Sequence, residues 1–168
     1  RRAAQGGDGG EYSFQAQLGY GSDWVKDASR KEIRDDLMRI LEEAHPAGVY
    51  VHNPADRHDT HVAVFLCAIE AIRLLPVQKR PPTVYGCEGW RDLDWLPEGR
   101  KVVLDVSAYP HIATALIGIF DSQITGGKRY DRAIRGRREA NATFHASHAT
   151  DETNAAVLAI DRTPLVQD

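Results

Sequence analysis

The chain has 168 residues, of which 42% are hydrophobic and 27% charged, with a formal net charge of −3 at pH 7. That length suits one domain with one hydrophobic core, and the composition excludes a disordered chain. The slightly acidic balance excludes a global basic field for nucleic acid or an anionic membrane surface.

In chain order, residues 1–11 (RRAAQGGDGGE) are Gly-rich and polar and read as a lead-in or loop. Residues 12–18 (YSFQAQL) alternate apolar with polar and predict a short strand. Ser29 and Glu32 have the spacing of a capping box. Behind them Ile33, Leu37, Ile40, Leu41 and Ala44 form one helical stripe, so a helix is expected over about 30–44. His45-Pro46-Ala47-Gly48 ends it. Residues 48–52 (GVYVH) read as a strand and 53–57 (NPADR) as a loop. A helix is expected from Asp59 or Thr60 to about 75. It is apolar all round over 62–69 and therefore expected to be heavily buried. That apolar run is also the longest in the chain, far too short to span a bilayer.

Strands are expected at 82–87 and 101–106, and helices at about 109–121 and 128–141; residues 157–160 fit either type. The basic run 128–138 reads as a solvated helix face or as an anchor for a substrate phosphate or carboxylate. This order predicts an α/β domain, Rossmann-like, with a mostly parallel sheet covered by helices on both faces. The strands are few for that architecture and the chain opens Arg1-Arg2 without methionine, so the first strands are expected in a preceding segment. Residues 1–168 then form a single domain, the carboxy-terminal portion of a larger one. Cys67 and Cys87 stand far apart and imply no disulfide framework, which fits a reducing, cytoplasmic setting.

In open α/β sheets ligands gather at the carboxyl ends of strands. The strand ending at His52 feeds directly into Asp56, Arg57, His58, Asp59 and His61, the densest group of functional side chains in the chain. A histidine in the first turn of a helix feels the positive end of the dipole, which favours the neutral imidazole that a metal needs. His58 and His61 can project to a common point, one as ligand and one as hydrogen-bond donor. Spacing alone leaves the other reading equally open, with His58 or Asp59 as a cap and His61 a half-buried packing residue. No Gly-x-Gly-x-x-Gly follows a strand, which disfavours a nucleotide-binding site.

The segment VYVHNPADRHDTHVAV (49–64) resembles the second signature of the PIG-L/LmbE zinc-dependent N-deacetylases, a His-x-x-His at a strand end. Similarity to a bacterial subgroup continues through VYGCEGWRDLDW (84–95), FDSQITGGKRYDRA (120–133), GRREANATFHASH (136–148) and DRTPLV (161–166). The resemblance implies removal of an acyl group from an N-acylated amino sugar or related amide, with Zn2+ as cofactor. It makes His61 a zinc ligand and His58 the group that stabilises the oxyanion or protonates the leaving amine. It implies that an amino-terminal Ala-His-Pro-Asp-Asp segment supplies the other ligands and the general base. Ala44-His45-Pro46 imitates that motif but lacks both acids.

The family's His-Pro-Asp-His is His58-Asp59-Thr60-His61 here, with the acid moved by one place, so Asp59 or Asp56 is the carboxylate that orients a histidine. Arg57, Tyr130, Arg138 and His148 are the candidates for substrate binding. Arg138, Asn141, His145 and His148 are spaced so that several can face one site. Glu88, Arg91, Asp92 and Asp94, with Trp90 and Trp95 interleaved, read as a sugar-binding rim or as a solvated loop with two packing tryptophans. No nucleic acid and no membrane span are expected, and a homo-oligomer is left open. The alternative function is a non-catalytic carbohydrate-binding or regulatory module on the same fold.

Overall fold

The computed structural model describes residues 12–167. The Gly-rich opening read as a lead-in lies outside them. Residues 12–18 form no strand, and Tyr12 and Phe14 are 62% and 59% exposed. Alternation specifies which face of a strand is buried, but a strand also needs a neighbour to take its hydrogen bonds.

Helix α1 spans Ser22–Lys26 and α2 spans Glu32–Ala44. The expected capping box does not form. The Ser29 hydroxyl donates to Asp27 Oδ1 at 2.6 Å, and α2 starts from Lys31 with no side-chain cap. At its other end His45 takes the left-handed conformation (φ 45°) and its N–H reaches Leu41 O at 3.1 Å. With Pro46 next, the helix cannot continue.

Strand β1 (Gly48–His52) follows, then α3 (Asp59–Leu74). Helix α3 buries Phe65, Ala68, Ile69, Ala71 and Ile72, yet leaves Leu66 and Leu74 58% and 51% exposed. The expectation of a heavily buried helix therefore holds for one face alone. Arg34 of α2 pairs with Glu70 of α3 at 3.1 Å. A 3₁₀ turn (Val77–Lys79), β2 (Thr83–Cys87), a second 3₁₀ turn (Glu98–Arg100) and β3 (Val102–Asp105) come next. They are followed by α4 (Pro110–Ile119), α5 (Ser122–Thr125) and α6 (Tyr130–Phe144). The undecided stretch near 157–160 is strand β4 (Ala156–Asp161), and α7 (Pro164–Gln167) ends the described chain.

The fold is a mixed α/β one with a four-stranded sheet in the order β1-β2-β4-β3. β1 and β2 are parallel, Gly48 opposite Thr83 through His52 opposite Cys87. β2 and β4 are antiparallel, Tyr85 opposite Asp161 and Cys87 opposite Ala159. The expected mostly parallel sheet is thus corrected to a mixed one. The side-chain pattern of a buried strand carries no direction, and the long connection through α4–α6 lets β4 enter from the opposite end.

The chain divides into two compact units, and the boundary passes through β4. One holds Gly19–Val102 and the stretch from Leu158 onward. Its main core packs Phe65, Ile69, Ile72, Val84 and Val166, with Leu41, Val49 and Val51 against them. A second cluster joins Leu93, Leu158 and Ile160. The other unit holds residues 12–18 and Val103–Val157. There the buried Asn141 donates from Nδ2 to Ala156 O at 3.2 Å, and Thr153 Oγ1 donates to Asp105 Oδ1 at 2.6 Å. Helix α4 is apolar, yet none of its residues is buried. No helix among the described residues is long and apolar enough to cross a membrane.

Ile72 is completely buried in the main core. Replacing it with alanine is expected to lower stability by about 2–5 kcal/mol. Urea unfolding checks this as a lower midpoint with an unchanged slope; a midpoint within error of the wild type would contradict the core assignment.

Candidate functional site

The parallel register sets His52, the last residue of β1, opposite Cys87, the last of β2. The loop that leaves β1 is tied to β2 by Asn53, which is fully buried. Its Nδ2 donates to Cys87 O at 2.8 Å, and its Oδ1 accepts the N–H of Ala55 at 2.9 Å. A backbone bond from Asp56 N to Asn53 O (3.2 Å) closes the turn, and this places the carboxyl of Asp56 under the start of α3.

The Asp56 side chain is fully buried. Its Oδ1 accepts the N–H of His58 at 3.1 Å; its Oδ2 accepts the N–H of Trp90 at 3.1 Å and lies 3.2 Å from His61 Nδ1. Gly89 makes this approach possible. A Cβ there would stand 2.5 Å from Asp56 Oδ2 and 3.7 Å from His52 Nδ1. Burial opposes ionisation of Asp56, but the N–H of His58, the His61 ring and the N–H of Trp90 outweigh it, and its carboxyl is held below the ordinary value of 3.8.

An ionised carboxylate only accepts, so Nδ1 is assigned as the protonated nitrogen of His61, which leaves the Nε2 lone pair free. The His61 ring stacks on His52, with centroids 4.0 Å apart and planes within 3°, and on His58, at 4.7 Å and 20°. Burial, and next the neighbouring His61, lower the pKa of His52 against the pull of Asp56. Its ring is thereby kept neutral, as a metal requires.

Among the described residues, His52, Asp56 and His61 form one group whose ligand atoms all lie within 4.8 Å of one another. Two imidazoles and a carboxylate are a suitable set for a catalytic zinc. The two stacked planes are parallel, however, so their in-plane lone pairs run side by side and do not converge. A cation shared by both rings needs one of them to turn. Ligation by His61 Nε2 with Asp56 holding Nδ1 needs no turn, and it is the carboxylate–histidine arrangement common around metals. The nearby Cys87 is no nucleophile at neutral pH. Burial and the charge of Glu88 push its thiol up to about 11.

The structure brings together Asp56, His58 and His61 of the sequence-predicted residues. The carboxylate bonded to His58 is Asp56, through the backbone, while Arg57 in the preceding loop and Asp59 at the start of α3 are exposed. His52, Gly89 and the peptide of Trp90 were missed. For His52 the signal was the same strand end that flagged the loop. Tyr130, Arg138 and His148 belong to the other unit. Tyr130 opens α6 beneath Lys128 Nζ, 6.0 Å from its ring centre. Arg138 lines a cavity, and His148 is exposed after α6. Asn141 and His145 are engaged locally, the latter with Nδ1 2.9 Å from Asn141 O at the end of α6. Trp90 and Trp95 are 43% and 51% exposed, and the Arg91 guanidinium lies 5.4 Å from the Trp95 ring centre.

The sequence matches no protein-family model and no curated protein. Solved structures match in fold. The conserved protein TT1542 from Thermus thermophilus is 20% identical, with a TM-score of 0.76 over 96% of this chain and 71% of that one. GalB, the 4-carboxy-2-hydroxymuconate hydratase from Pseudomonas putida, is 17% identical, with a TM-score of 0.60 over 96% of this chain and 69% of that one. At these identities the likeness is one of fold.

Asp56→Asn keeps the shape but removes the charge and turns one acceptor into a donor facing N–H groups. A loss of about 1–3 kcal/mol is expected at neutral pH. A depressed carboxyl contributes stability above its unfolded value near 3.8 and loses it as pH falls through the folded value. Urea midpoints of wild type and variant should therefore converge below about pH 4; a constant gap from pH 7 to 3 would show that the Asp56 charge contributes nothing.

Proposed function

We propose that this site serves a zinc-dependent hydrolase that removes an acyl group, acetyl in the simplest case, from an N-acylated amino sugar or related amide. The observation that carries the reading is the His61 ring, held at Nδ1 by a buried, ionised Asp56 with Nε2 left to ligate. Around it the donor types suit zinc. When bound, the ion polarises the amide carbonyl and lowers the pKa of a coordinated water.

The chain's own residues then have distinct tasks. Asp56 fixes the tautomer of His61 and strengthens Nε2 as a donor. His58, stacked on His61, offers an imidazole where negative charge develops on the carbonyl oxygen, and can hand a proton to the departing amine. The resemblance to PIG-L/LmbE deacetylases assigns the remaining ligands and the base to an upstream segment, and His52 is a further donor already inside this chain. A non-catalytic carbohydrate-binding module is the second reading. The exposed indoles of Trp90 and Trp95 favour it, since aromatic faces stack on sugar rings.

Acetate release from N-acetylglucosamine derivatives by the full-length protein, stripped of metal and reloaded with zinc, tests the proposal. His61→Ala should lose at least about a hundredfold in activity together with bound zinc, and Asp56→Asn should weaken zinc about 10–100-fold. Wild-type turnover by His61→Ala sinks the ligand assignment, and sugar binding without acetate release selects the second reading. Zinc retained by His52→Ala would leave the other ligands to the upstream segment.

A further inference from the structure

The unit built around β3, α4 and α6 contains a second concave site. A cavity of about 400 Å³ opens between α4, α6 and the loop that leads into β4. That volume lies within the range of small-molecule pockets. Its α4 side is mainly apolar, formed by Pro110, Ala113 and Ile117; His111 also lines it, and the Thr114 hydroxyl is spent on Pro110 O at 2.8 Å within the helix.

The α6 side carries charge: Arg135, Arg138 and Glu139 all line the cavity. Arg135 Nε donates to Glu139 Oε1 at 2.7 Å, so these two charges offset each other. Asp105, at the end of β3, is taken up by Ser107 and Thr153. Arg138 has no ion pair or hydrogen bond among the described residues, and it is half-buried. Two guanidiniums against one carboxylate leave one uncompensated positive charge, at Arg138, beside an apolar wall. A guanidinium partly withdrawn from water beside an apolar wall gains from an acceptor, and a planar carboxylate supplies acceptors in matching geometry.

We infer that this cavity is a binding site for a small amphiphilic carboxylate, whose apolar body lies along Pro110, Ala113 and Ile117 and whose head pairs with Arg138. The inference is independent of the histidine site and of the reaction proposed for it. Wherever Arg138 meets such a head, the neutral alcohol of the same chain length is the natural control, because it keeps the body and removes the charge.

Octanoate and 1-octanol, titrated separately into the whole chain and followed by amide chemical shifts, test it. Saturable shifts within 106–117 and 135–155 are expected for octanoate, with octanol clearly weaker. Arg138→Gln should weaken octanoate roughly tenfold or more while leaving octanol unchanged, and Arg138→Lys should recover part of the loss. Ala113→Phe, which fills the apolar side, should abolish both. Should that variant misfold, Arg138→Gln at its half-exposed position decides alone. No saturable octanoate shift, equal binding of acid and alcohol, or unchanged octanoate affinity in Arg138→Gln would each overturn the inference.

Discussion

A carboxylate withdrawn from water is costly unless its lone pairs are taken up. Asp56 meets that condition with three donors drawn from three places: the peptide of His58 at the start of α3, the ring of His61 one turn on, and the peptide of Trp90 beyond β2. None of these can move without exposing or orphaning the charge. The same contacts that satisfy Asp56 therefore fix where the β1 loop ends, which way the His61 ring faces, and how closely the loop after β2 approaches. The site is built outward from this one buried charge.

Two features of the sheet make that convergence possible. The parallel pairing of β1 with β2 brings both strand ends to the same edge, so that Asn53 can bridge to Cys87 O and hold the two departing loops together. Gly89 then lets backbone pass within reach of Asp56 Oδ2, where any side chain would collide. The glycine's value here is the space it leaves, since the atom it would clash with is the carboxylate itself. A substitution at Gly89 and one at Asp56 would disturb the same contact from opposite sides, and their effects on stability should not add.

Much of this was legible in the residues. The stripe Ile33–Leu37–Leu41 and the Pro46 stop give α2 to within two residues, and the β-branched runs locate β1, β2 and β3, because periodicity and chain breakers are local signals. The concentration of His and Asp between a strand end and a helix start pointed to the loop where Asp56, His58 and His61 come together. What escaped was set by partners distant in sequence. Ser29 had two acids within reach and chose Asp27 over Glu32; residues 12–18 had the alternation of a strand but gained no strand partner; β4 had the composition of a strand but no mark of its direction. The place of His52 follows from register with Cys87, far along the chain, and Arg138, expected to bind the substrate, lies in a different unit from His58 and His61.

The stack of His52 on His61 bears on how the site can work. Face-to-face imidazoles 4.0 Å apart are compatible when at least one is neutral, and the burial of His52 favours its neutral form. In this arrangement His61 is constrained at Nδ1 by Asp56, whereas His52 is held mainly by packing. Of the two rings, His52 is therefore the one able to turn. A cation at Nε2 of His61 would also repel a proton on His52, so metal binding and the neutrality of His52 would reinforce each other. A fixed histidine stacked on a second, buried imidazole would in this sense do more than ligate, because it would tie the proton state of His52 to any charge held at Nε2 of His61.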